Sequence, residues 1–158
     1  MKINDLKIDK KLNDNDMHNL ALKIAKRAHA GQVDKNGTDY ILHPLKVASL
    51  VETQTLKTIA LLHDVCEDSE VSLNDLKYLG FSDEIIKAVD AITKRSSENY
   101  RTYLERVKTN KLAVRVKIAD ATHNSDATRI ENPTQIDLVR SEKYAKSVDE
   151  LKQLLDNA

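Results

Sequence analysis

Tryptophan is absent from this chain, and phenylalanine occurs once in 158 residues. Aromatic platforms on which single-stranded bases stack are therefore scarce. Net charge is missing too, because Lys+Arg and Asp+Glu both number 25. A general nucleic-acid binder carries a basic excess, so that class is disfavoured. Cys66 is the only cysteine, which excludes an intrachain disulfide and suits a reducing compartment. In its apolar surroundings this thiol reads as a small core hydrophobe rather than a nucleophile. No apolar run is long enough to span a membrane. Met1 to Lys11 alternate charged and apolar residues and do not resemble a secretory signal. The expectation is a cytoplasmic protein with one domain over residues 1–158, long enough for a real core.

With three glycines and two prolines, the chain has few built-in breaks. Apolar residues recur mostly at spacings of three and four, which predicts an all-α fold. Asp16 suits the cap of a first helix through Leu20, Ile24 and Ala28, stopped by Gly31. Gln32 to Tyr40, with Asn36-Gly37, reads as a loop. Pro44 fits the first position of a second helix, Leu45 to about Thr53. A third helix is expected from Thr55 to near Asp68. Ser72 and Asp75 form a capping-box pattern for a helix that Gly80 stops. Ser82 caps the next, with Ile85, Ile86, Val89 and Ile92 inward. Asn99 to Val107 and Leu112 to about Thr128 are further helices, and Pro133 breaks the chain. Residues 134–157 read as a C-terminal packing segment. Its helix carries Leu138, Tyr144, Val148, Leu151 and Leu155 on a core or partner face.

The densest chemistry lies in Leu61-Leu62-His63-Asp64-Val65-Cys66-Glu67-Asp68. On a continuous helix, His63, Glu67, Asp64 and Asp68 fall at roughly 0°, 40°, 100° and 140°, one shared arc. The remaining residues of that helix are apolar nearly all round, so it should be buried. Buried carboxylates need a cation or hydrogen bonds. A water-filled groove with solvated acids is the competing arrangement, disfavoured by the flanking apolar residues. Three more pieces can converge on this arc: His43-Pro44, the window Lys117-Ile118-Ala119-Asp120 with Asn124 one turn on, and the polar loop around Lys35. Two imidazoles and two carboxylates make a mixed N/O set that suits Mn, Fe or Zn rather than a closed thiolate site. Glu67 and Asp68, one turn beyond His63 and Asp64, can accept a proton from water. Phosphoester or pyrophosphate hydrolysis is the chemistry these parts allow. Arg27, Arg101, Arg115 and Arg129 are further cations within possible reach of phosphate, whereas solvation is the ordinary fate of such side chains. Tyr100 and Tyr103 fit either a pocket wall or core packing, and His18 and His29 read as structural.

A family resemblance runs through these motifs. Ala28-His29-Ala30-Gly31-Gln32, Lys35-Asn36-Gly37, Tyr40-Ile41-Leu42-His43-Pro44, Leu61 to Asp68, Val116-Lys117-Ile118-Ala119-Asp120 and His123-Asn124 resemble the hydrolase domain of the RelA/SpoT-homologue proteins, within the HD phosphohydrolase superfamily. The resemblance covers roughly residues 17–130. It implies an all-α HD-domain helical bundle and one Mn2+ held by His43, His63, Asp64 and Asp120. It implies catalytic roles for Glu67 and Asp68, and nucleotide or phosphate contacts for Lys35 and Asn124. The implied reaction removes the 3′-pyrophosphate of guanosine tetra- or pentaphosphate. The chain thus resembles the stand-alone small alarmone hydrolases. Two departures bear on base recognition. Asp34 stands where the family places a cation beside guanine, and it is free to meet a base edge or pair with Lys35. Asp126 and Ala127 replace the family's Arg and Thr after His-Asn, with Thr128 one place out of register. Two other functions compete: a phosphatase acting on another nucleotide or a nicotinamide dinucleotide phosphate, and a regulatory module that binds an alarmone without cutting it. The expected partner is a small nucleotide, with no nucleic acid and no membrane; no feature specifies a protein partner.

Overall fold

The computed structural model describes residues 11–156. Apart from Lys11, the N-terminal stretch read above for a secretory signal lies outside the described residues, as does residue 157 of the C-terminal segment. The described part is helical, and no strand interrupts it. A single antiparallel bridge, Val33 to Asp39, ties the first loop. No described helix is long and apolar enough to cross a membrane.

Helix α1 is Asp14–Ala28, α2 Leu42–Ser49, α3 Gln54–Leu62, α4 Val65–Asp68 and α5 Leu73–Tyr78. Then follow α6 Asp83–Ile92, α7 Tyr100–Val107, α8 Lys111–Asn124, a 3-10 turn Ala127–Arg129 and α9 Gln135–Asp156. Local chemistry starts most of them. Ser72 Oγ accepts from the Asp75 backbone N–H at 3.1 Å, and Asp75 answers the Ser72 N–H at 2.9 Å. Ser82, Asn99 and Asn110 cap α6, α7 and α8 more simply, each side-chain oxygen accepting from a backbone N–H three residues on. Gly31 and Gly80 end their helices at φ +80° and +100°, a conformation that a Cβ disfavours.

Three boundaries depart from the sequence reading. Asn13, not Asp16, caps α1; Asp16 is the reciprocal acid three residues inside. Helix α2 starts three residues early, at Leu42, and ends at Ser49, so Pro44 sits third. The N–H groups of a first turn have no carbonyl partner within the helix, so proline is tolerated there. Helix α8 stops at Asn124; Asp126 then caps a separate 3-10 turn by accepting from Thr128 N–H at 3.0 Å.

The largest departure lies in the middle. The expected continuous helix from Thr55 to Asp68 breaks at His63-Asp64. Nδ1 of His63 bonds the Ala60 carbonyl at 2.5 Å, competing with the backbone N–H that meets the same oxygen at 3.5 Å. The ladder then restarts from the Asp64 carbonyl to Asp68 N–H.

Helix α3 forms the centre, packed by α1, α2, α6 and α8. Its Leu56, Ile59, Ala60, Leu61 and Leu62 are all buried. Helix α8 runs beside it and contacts α2, α6, α7 and α9 as well. Leu151 of α9 is fully buried against this core, whereas Leu138 is exposed and does not join the packing face proposed for it.

Candidate metal centre

His43 enters from the first turn of α2, His63 and Asp64 from the α3–α4 break, and Asp120 from α8. One donor atom from each lies within 4.8 Å of all the others. His43, His63 and Asp120 are buried, and Asp64 is nearly so. Nε2 of His43 and of His63 reach Asp120 Oδ1 at 2.8 and 3.3 Å. His63 Nε2 is 3.1 Å from Asp64 Oδ2.

The other ring nitrogens are fixed from behind. His63 Nδ1–H donates to the Ala60 carbonyl, which leaves Nε2 to face the cluster. His43 Nδ1 meets His123 Nδ1 at 2.8 Å, and the two rings stack at 9° with centroids 5.0 Å apart. Burial, with Arg129, His43 and Lys46, pushes His123 down to about 4, so it stays neutral as an acceptor. The Tyr40 hydroxyl donates to Asp64 Oδ2 at 2.6 Å.

Charge balance points the same way. Burial alone would lower His63, but Asp64 and Asp120 outweigh it and hold the imidazole well above its usual range. Burial would raise Asp64, but the adjacent His63 holds it at about 2. Asp120 is held well down against burial, chiefly by Lys117, whose Nζ donates to Oδ2 at 2.7 Å. The cluster thus demands positive charge at its centre. A divalent cation meets that demand, and the N/O donor set fits a first-row ion.

The acid pair differs from expectation. Glu67 and Asp68 are exposed, so the helix break turns them out of the core into solvent. Glu67 Oε1 accepts from the Lys94 backbone N–H. Even so, desolvation outweighs that bond and, with Asp64 and Asp68 nearby, pushes Glu67 up to about 7. Desolvation, then repulsion from Asp64, also raises Asp68. Gln32 anchors this end, its Nε2 donating to the Asp68 carbonyl at 2.9 Å while its Oε1 meets His29 Nδ1 at 2.8 Å.

A cleft of about 650 Å³ opens from His43 and Asn124. Lys35 lines it but is ion-paired with Asp137 of α9, not with Asp34. Asp34 instead closes its own loop, accepting from Asn36 and Thr38 N–H at 2.8 and 3.0 Å. Asn124 links the cluster to the cleft: Nδ2 donates to Asp120 at 3.1 Å, and Oδ1 accepts from Arg129 at 3.2 Å. Tyr103 is core, its hydroxyl on the Ile92 carbonyl, and Tyr100 bonds Ser147; neither lines the cleft, whereas Tyr144 does. Arg101 pairs with Glu150. Sequence reasoning missed Tyr40, His123, Lys46 and Arg140. Only Lys117 carried a local signal, standing one helical turn before the acid it neutralises.

A helical bundle built around a buried His/Asp cluster defines the class. A family model described as HD domain matches residues 21–145, and the chain belongs to that family. The bifunctional (p)ppGpp synthase/hydrolase SpoT of Escherichia coli (strain K12) is 31% identical over 119 residues, covering 66% of this chain and 17% of that protein. A guanosine-3′,5′-bis(diphosphate) 3′-pyrophosphohydrolase of Haemophilus influenzae is 34% identical over 116 residues, covering 64% and 17%. The chain spans about a sixth of the length of these curated relatives. A solved structure described as a metazoan ortholog of SpoT that hydrolyzes ppGpp aligns with a TM-score of 0.70 at 23% identity, over 89% of this chain and 92% of that one. That likeness shows the shared fold.

Proposed function

We propose that this chain is a metal-dependent phosphohydrolase that removes the 3′-pyrophosphate from guanosine tetra- or pentaphosphate, releasing pyrophosphate and GDP or GTP. The observation that carries the reading is the convergence of four N/O donor atoms within 4.8 Å at the end of an open cleft. His43, His63, Asp64 and Asp120 are the proposed ligands, and Mn2+ is the ion the family resemblance favours. Bound there, a divalent ion makes water more acidic and neutralises phosphate charge.

The chain's own groups do the rest. Glu67 and Asp68 stand beside the centre and are exposed to incoming water. A carboxyl raised to about 7 is suited to taking a proton near neutral pH. Water adds to the phosphorus next to the ribose 3′-oxygen, the P–O3′ bond breaks, and that oxygen takes up a proton. Asn124 orients Asp120 and reaches the cleft, and Lys35 at the rim shares its charge between Asp137 and phosphate. Asp34 is spent on its loop and offers no cation to guanine, so base selectivity is relaxed and adenosine analogues are cut too.

The test is a product assay of Mn2+-loaded protein on 3′-pyrophosphorylated guanosine and adenosine nucleotides. Pyrophosphate is the expected product from both. Orthophosphate would instead support the phosphatase reading, and binding without turnover the regulatory one.

A further inference from the structure

The acid pair stands on a support of its own. Helix α4 is a single turn of four residues, too short to hold its shape without tertiary anchors. The Asp68 N–H closes it with a bond to the Asp64 carbonyl at 3.0 Å. Its carbonyls have no donor further along the helix and need one from outside. Ser69 Oγ serves the Val65 carbonyl at 2.7 Å, and Gln32 Nε2 serves that of Asp68 at 2.9 Å from 36 positions away. Glu67 rides on the same turn, from which its carboxylate meets the Lys94 backbone N–H.

Gln32 is itself held in one orientation. Its Nε2 also donates to the Ala28 carbonyl at 3.2 Å, so both of its partners are oxygens that only accept. Oε1 is therefore the end that meets His29 Nδ1 at 2.8 Å, and Nδ1 carries the hydrogen. His29 closes α1 and is 2% exposed. Its ring lies against Tyr40, with centroids 5.0 Å apart and planes at 51°. Nε2 of His29 is buried with no hydrogen-bond partner among the described residues, a penalty that Phe in the same space would not carry. What the imidazole adds over Phe is the Nδ1–H bond to Gln32.

We infer that His29 and Gln32 are positioning residues for the acid pair. His29 orients the Gln32 amide, and the amide holds the last carbonyl of α4, so that Glu67 and Asp68 keep their place beside the centre. The inference rests on the reading of Glu67 and Asp68 as the groups that serve hydrolysis. Neither positioning residue is among the four proposed ligands, and neither lines the cleft. Their loss therefore acts on the rate, not on the ion or on substrate affinity.

Four variants test it. Gln32→Met removes the amide at similar length, and Gln32→Glu keeps an acceptor for His29 but loses the donor to Asp68. His29→Phe keeps a ring against Tyr40 without the N–H, and His29→Asn restores an N–H donor without the ring. The measurements are kcat and KM of Mn2+-loaded protein on a 3′-pyrophosphorylated guanosine nucleotide, Mn2+ stoichiometry, Tm, and hydrogen exchange at the Asp68 amide by NMR. Both Gln32 variants and His29→Phe should keep one Mn2+ and a KM within about twofold, while kcat falls roughly 10–100-fold, the scale of a small misplacement of reacting groups. Asp68 N–H should exchange roughly 10-fold faster in the same variants, as α4 loses an anchor. His29→Phe should keep or raise Tm, because it removes the orphaned nitrogen, so its lost rate is not lost fold. His29→Asn should recover most of the rate. A fall in kcat without faster Asp68 exchange, faster exchange without a fall in kcat, or neither change overturns the inference. Loss of Mn2+ in step with kcat overturns it too, because the pair would then support the whole centre. Absence of turnover in wild type refutes the hydrolytic reading instead, and Asp68 exchange still tests the hold on α4.

Discussion

Replacing Lys117 with Met isolates the positive charge that α8 buries behind the centre. Lys117 Nζ is the one described partner of Asp120 Oδ2, at 2.7 Å, whereas Oδ1 keeps His43, His63 and Asn124. Both residues are almost wholly buried, at 6% and 4% exposure, so solvent does little to screen the loss. A buried charged acceptor stripped of its partner costs at least about 1–3 kcal/mol, and removal of one member of a buried ion pair about 3–5 kcal/mol. The ammonium also sits 5.0 Å from the Tyr103 ring centroid. Met fills much of the same volume and returns roughly 1 kcal/mol through sulfur–aromatic contact. The net expectation is a loss of about 3 kcal/mol, or roughly 6–12 °C in Tm for a domain of this size. Urea unfolding of metal-free protein at neutral pH, followed by helical circular dichroism, measures it. A double-mutant cycle with Asp120→Asn should return at least about 1 kcal/mol of coupling. A loss below about 1 kcal/mol for Lys117→Met, with no coupling, would refute the claim that Asp120 depends on this lysine.

Two further outcomes follow from the same geometry. Glu67 acts as a base only when ionised, and its site raises it to about 7 while a bound cation lowers it again. The acid limb of kcat/KM should therefore rise with pH and bend below about 7; persistence of that limb in Glu67→Gln would assign it to another group. His123→Ala removes the acceptor that holds His43 Nδ1–H, so Mn2+ affinity by calorimetry should fall about 10–100-fold. Unchanged affinity would show that His43 needs no such support.

Local features were the legible ones. The Ser72/Asp75 box and the cap at Ser82 are written within four residues, and the folded chain uses them. The break at His63-Asp64 was not legible, because apolar periodicity runs straight through it. It arises from His63 competing for the Ala60 carbonyl and from the pull of partners on α2 and α8. The exposure of Glu67 and Asp68 follows from that break and was missed with it. Tyr40 reaches Asp64 across 24 positions, and His123 reaches His43 across 80, distances at which spacing carries no signal. The four converging donors were chosen by residue type and family resemblance, and the packing of α2, α3 and α8 brings them within 4.8 Å.

The central claim is that His43, His63, Asp64 and Asp120 hold one ion while Glu67 serves the reaction without holding it. Metal stoichiometry of purified wild type, Asp64→Ala and Glu67→Gln, measured by elemental analysis after Mn2+ loading and exhaustive dialysis, tests it most directly. One Mn2+ per chain in wild type and in Glu67→Gln, with none in Asp64→Ala, is the predicted result. Full occupancy in Asp64→Ala, or loss of the ion in Glu67→Gln, would contradict it.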